Sequence, residues 1–76
     1  MYIINEYQTT NGTTAFVTPT TREDRNQAIS VFYTKCAAAA VSAVEIHTVT
    51  ICTDVGLPVL PPQCFKHEIQ VQENNE

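Results

Sequence analysis

The chain predicts an α+β fold: a ββαββ unit whose four-stranded antiparallel sheet has one helix packed on one face. Three observations carry this expectation. An Asn11-Gly12 pair sits between β-branched and aromatic segments. The stretch from Arg22 to about Ser42 contains no glycine or proline. Two more β-rich segments then flank Asp54-Val55-Gly56.

The first hairpin comes from Tyr2 to Thr10 and the residues after Gly12. Asn and Gly both tolerate positive φ, as a two-residue type I′ turn requires. That loop places Thr10 opposite Thr13, Gln8 opposite Ala15 and Tyr7 opposite Phe16. Ile3, Tyr7 and Phe16 then share one face, and Ile4, Glu6, Ala15 and Val17 the other. Pro19 is expected to end the second strand.

For the helix, Thr20 with Glu23, and Thr21 with Asp24, each have capping-box spacing. Ile29, Phe32, Tyr33, Cys36, Ala37 and Ala40 recur with helical period, which predicts one apolar stripe. Gln27, Ser30, Thr34 and Lys35 take the wet side. The block Cys36 to Ala40 is small on every face. It suits a helix pressed close to its own sheet or to another subunit.

A third strand spans about Val44 to Thr53, and its pattern is irregular. Val44 and Ile46 point one way, while Val49 and Ile51 share the other face with Glu45 and His47. Either a bulge near Thr48 or partial cover of both sheet faces would account for this. Leu57-Pro58-Val59-Leu60-Pro61-Pro62 is a stiff apolar loop, excluded from a central strand by its prolines. It is expected to fold over the sheet edge or to enter a partner's groove. The fourth strand, about Gln63 to Gln70, sets Cys64, Lys66 and Glu68 against Phe65, His67 and Ile69. Residues 1–71 read as one domain and 72–76 as a polar tail.

Composition narrows the function classes. The net charge is −4, and the fixed cations are Arg22, Arg25, Lys35 and Lys66. Nucleic-acid backbones are bound by clustered cations, so a DNA or RNA ligand is not expected. No apolar run reaches the ~18 residues that span a bilayer, so neither is a membrane. Cys36, Cys52 and Cys64 are odd in number and scattered, and no signal-peptide pattern follows Met1. Reduced thiols in a cytoplasm are the expectation. A chain of this length hides only about 60% of its unfolded surface, which favours self-association as a homo-oligomer.

Catalytic patterns are absent. His47, His67, Cys52 and Cys64 lack the paired close spacing of a zinc site. Gly12 and Gly56 lie in turns rather than in a phosphate or oxyanion loop. His47-Thr48-Val49 and His67-Glu68-Ile69 both fail a two-histidine phosphodiesterase pattern. The expectation is a protein that is not an enzyme and carries no cofactor or metal. Two clusters could bind a ligand instead. Arg22 and Arg25 lie at the expected helix start, where free N–H groups favour an anion. Phe65, Lys66, His67 and Glu68, with His47 on the neighbouring strand, offer stacking, charge and hydrogen bonds to a nucleotide-like molecule.

The opening Met1-Tyr2-Ile3-Ile4, the segment Ala37-Ala38-Ala39-Ala40-Val41-Ser42, the following His47 and the closing Cys64-Phe65-Lys66-His67-Glu68 resemble a family of very small, functionally uncharacterised proteins of Firmicutes phages and prophages. The resemblance spans most of the chain and brings no residue roles. It implies a viral protein acting in the cytoplasm of a bacterial host. The expectation is a small oligomeric binding protein that sequesters a nucleotide-type signalling molecule, a sponge that blocks host anti-phage defence. The alternatives are an accessory or structural virion protein, or a direct inhibitor of a host enzyme anchored by Leu57 to Leu60.

Overall fold

A computed structural model describes residues 1–67. It contains β1 (Tyr2–Thr10), β2 (Thr13–Arg22), α1 (Arg25–Ala40), β3 (Ile46–Thr53) and β4 (Gln63–Lys66). All neighbours are antiparallel in one open sheet of order β2-β1-β3-β4, an α+β fold with one helix among the described residues.

The β1–β2 turn forms as its residues require, with Asn11 at φ 53° and Gly12 at φ 78°. The register follows: Thr10 pairs Thr13, Gln8 pairs Ala15 and Tyr7 pairs Phe16. The Tyr7 and Phe16 rings meet edge to face at 5.2 Å.

Pro19 does not end β2, which continues to Arg22. Two properties make this tolerable. Strand β2 is at the sheet edge, and the β1–β2 register shifts between Ile4 and Glu6, opposite Val17 and Thr20. Thr18 and Pro19 fall in that irregularity, where a missing N–H breaks no ladder bond. A bulge near Thr48, one of the two explanations for the irregular pattern of the third strand, does not form, because the β1–β3 register runs unbroken from Tyr2–Thr53 to Thr9–Ile46.

The longer β2 delays the helix. Thr20, Thr21 and Arg22 pair with Ile4, Ile3 and Tyr2, so neither threonine caps it. Asp24 is the N-cap, its carboxylate accepting the Gln27 N–H at 2.9 Å. The buried stripe is Ala28, Phe32, Cys36 and Ala39, with Ile29 and Val31 at its flanks. It is rotated from the expected one, leaving Tyr33 58% exposed and Ala37 and Ala40 on the surface. Small Ala28 and Ala39 let the helix approach its own sheet closely.

Across from that stripe, Ile4, Val49 and Ile51 complete the core. Strand β3 alternates without a break, His47, Val49 and Ile51 inward and Ile46, Thr48 and Thr50 outward. The apolar loop folds over the sheet edge: Val59 N–H donates to the Ile51 carbonyl at 3.0 Å, and Val59 and Leu60 pack on the core. Leu57 remains exposed. The face opposite the helix carries Ile3, Tyr7, Phe16, Ile46 and Cys52. Among the described residues, no helix is long and apolar enough to cross a membrane.

Candidate functional site

Strand alternation brings one charged residue, Glu6, onto the core-facing side of β1, two positions after buried Ile4. Burial of a carboxylate is costly unless it is paired and hydrogen-bonded. Glu6 has both kinds of support. Lys35, from α1, places Nζ 2.7 Å from Oε2, and His47, from β3, places Nε2 3.0 Å from Oε1. The His47 ring, 6% exposed, closes the chain with its Nδ1 3.2 Å from the Ser42 hydroxyl. That hydroxyl also accepts the Val44 N–H, tying the segment after the helix to the same network.

The charges are well matched. Burial pushes the Glu6 carboxyl up, but hydrogen bonds and charge from Lys35 and His47 outweigh it, and the net shift is downward. Glu6 is therefore a carboxylate with a fixed cation at one oxygen and an imidazole at the other. Ser42, His47 and Glu6 form a hydroxyl–imidazole–carboxylate row. Lys35 compensates the charge a relay would use, and the Val44 N–H holds the hydroxyl in a local turn.

Lys35 also faces outward. It joins Thr20, Arg22, Ser30, Val31 and Thr34 around a groove of about 250 Å³ between α1 and the end of β2. Thr20 and Arg22 point there because they pair with Ile4 and Tyr2 on the helix side of the sheet. The groove thus holds two of the four fixed cations and three hydroxyls. Arg22 rests a guanidinium N–H on the Thr21 carbonyl at 2.7 Å, leaving its other donors for a ligand. The volume lies below the roughly 300–1,000 Å³ of ordinary small-molecule sites. It suits a compact anion, or the charged end of something larger.

The residues singled out from sequence do not gather in one place. Arg22 lines the groove, whereas Arg25, the first helical residue, is exposed and does not. Phe65 pairs with His47 on the helix side and packs on the core, while Lys66 pairs with Ile46 and faces the opposite side. His67 turns to the helix end, with Nδ1 2.7 Å from the Val44 carbonyl and Nε2 3.0 Å from the Ala40 carbonyl. His47 is buried with Glu6. Glu68 and the rest of the expected fourth strand and tail lie outside the described residues.

Glu6, Lys35 and Ser42 belong to no motif in the sequence, although one signal is present. Glu6 and His47 both occupy core-facing strand positions, each two residues from a core residue, Ile4 and Val49. Among the described residues, no group of three or more His, Cys, Asp or Glu gathers in a metal-binding arrangement. Cys36 is buried and its thiol is pushed up by that burial, so it stays protonated. Comparison of the chain with protein-family models, curated proteins and solved structures finds no match in any of the three.

Proposed function

We propose that this protein is a binding module rather than a catalyst, and that it holds a small phosphorylated ligand in the groove between β2 and α1. The observation that carries the reading is the pairing of Arg22 and Lys35 across a concave, hydroxyl-lined surface on a net-acidic chain. On such a chain, two cations and three hydroxyls in one concavity are a local exception. A phosphate would accept from the Arg22 fork and the Lys35 ammonium, and the hydroxyls of Thr20 and Ser30 would donate to its remaining oxygens, the Thr34 hydroxyl being already committed to the Ser30 carbonyl. Lys35 is held by Glu6 from below, which sets its position before a ligand arrives and limits the ordering cost.

A nucleotide-type signalling molecule fits this chemistry. The groove takes its phosphate end, and the base and sugar extend beyond it. The extension has cover if two copies meet, and the open sheet face with Ile3, Tyr7 and Phe16 supplies an apolar surface for that. Together with the resemblance to small phage proteins, this supports a homo-oligomeric sequestering protein of anti-phage defence. The same open face favours the second reading, an accessory virion component, in which self-assembly is the function. Mass spectrometry of purified particles separates the two, since a sequestering protein is absent from them.

Titration calorimetry of the full chain against nucleotide second messengers and inorganic phosphate tests the reading. Saturable heat is expected with at least one nucleotide. Loss of a charge-assisted bond, worth about 1.5–3 kcal/mol, makes Arg22→Ala roughly 10–100-fold weaker with unchanged melting. No heat from the whole panel, or wild-type affinity in Arg22→Ala, overturns it.

A further inference from the structure

We propose that His67 is a proton-dependent latch that clamps the end of β4 to the C-terminal end of α1. Both of its ring nitrogens face backbone carbonyl oxygens: Nδ1 that of Val44 at 2.7 Å and Nε2 that of Ala40 at 3.0 Å. A carbonyl only accepts, and a neutral imidazole has only one N–H to donate. Satisfying both contacts therefore requires the imidazolium. In the neutral ring, one nitrogen turns a lone pair towards a carbonyl lone pair, and one bond becomes a repulsion.

The position gives the proton a structural consequence. Ala40 is the last helical residue, and its carbonyl is one of the acceptors a helix leaves without an internal partner. The Val41 and Ser42 N–H groups serve Ala38 and Ala39, so the ring serves Ala40. A cation there also meets the negative end of the helix dipole. The His67 N–H donates to the Glu45 carbonyl at 2.7 Å, so one residue spans the helix end, the 41–45 segment and the sheet edge.

Among the described residues, few other charges face the ring. The last turn of α1 carries no basic residue. Glu45 sends its carboxylate to the Asn11 N–H at 3.0 Å, His47 is held by Glu6 and Ser42, and Lys66 faces the other side of the sheet. The bond to Val44, then that to Ala40, raises the His67 pKa above the ordinary 6.5, against a smaller opposing effect of burial. A raised folded value means that the latch's stabilisation is complete below the unfolded value and is lost as pH rises through the folded one. The junction is tight in acid and slackens on the alkaline side of 6.5.

Nitrogen-detected NMR of the full chain reads this directly. Both His67 ring nitrogens are expected to carry protons at about pH 6 and to titrate with a midpoint above the ordinary histidine value. His67→Gln supplies two amide N–H donors that do not titrate. Its melting temperature is therefore expected to fall less than that of wild type between about pH 6 and pH 9. A His67 midpoint at or below the ordinary value, a bare ring nitrogen at the acid end, or equal falls in the two proteins overturns the latch.

Discussion

Replacing Glu6 by alanine removes the one acceptor that serves both Lys35 and His47. The lost contacts are at 2.7 and 3.0 Å, and the Glu6 side chain is 12% exposed. Breaking a buried charge pair by deleting one partner costs about 3–5 kcal/mol, most of it from the partner left behind. The two partners differ here. His47 is 6% exposed and cannot reach water, but Lys35 is 24% exposed and can turn into the groove. That escape sets the expected loss at the low end, about 3 kcal/mol. A domain of 76 residues has a total stability of roughly 4–11 kcal/mol at ordinary values per residue. The substitution therefore removes about a quarter to three quarters of it. Glu6→Gln keeps an acceptor and the shape, so about half the loss is expected, ~1.5 kcal/mol. Urea unfolding near neutral pH measures both, with an unchanged slope showing that the unfolded state is the same. The gap between wild type and Glu6→Ala must also close in acid. A lowered folded pKa gives stability that is present above the ordinary 4.5 and lost as pH falls through the folded value. A Glu6→Ala protein within about 0.5 kcal/mol of wild type at equal slope would refute the reasoning, since that is the range of a surface change.

Two further substitutions test the frame that holds the site. Phe32→Ala empties the centre of the core, where the side chain is 1% exposed between Ile4, Val49 and Ile51. A loss of about 3–5 kcal/mol is expected by urea unfolding, enough to leave much of the protein unfolded at 37 °C. Asp24→Ala deletes the N-cap acceptor of Gln27. It should cost about 0.5–2 kcal/mol, and Thr21→Ala, outside the cap, should leave circular-dichroism melting unchanged.

The helix shows how far local signals reach. Thr20–Glu23, Thr21–Asp24 and Asp24–Gln27 all have capping spacing, and sequence alone cannot rank overlapping registers. Pairing of Thr20, Thr21 and Arg22 with β1 decided among them, because strand and helix cannot share a residue. The stripe rotated for a related reason. Period marks apolar positions, but the sheet accepted small Ala28 and Ala39 at the contact and left bulkier Tyr33 outside.

The chain by itself determined the ββαββ order, the Asn11-Gly12 turn, the register it imposes and the faces on which Glu6 and His47 lie. These follow from local rules: positive φ at the turn, period 2 in strands, period 3.6 in the helix. What the tertiary structure decided is which distant groups meet. Glu6 finds His47 forty-one positions away, Lys35 joins both to the groove with Arg22, and His67 reaches back to Ala40. Such partners depend on how helix and sheet pack in three dimensions, and no spacing along the chain encodes them. The residues with the most chemistry are those for which local pattern says least.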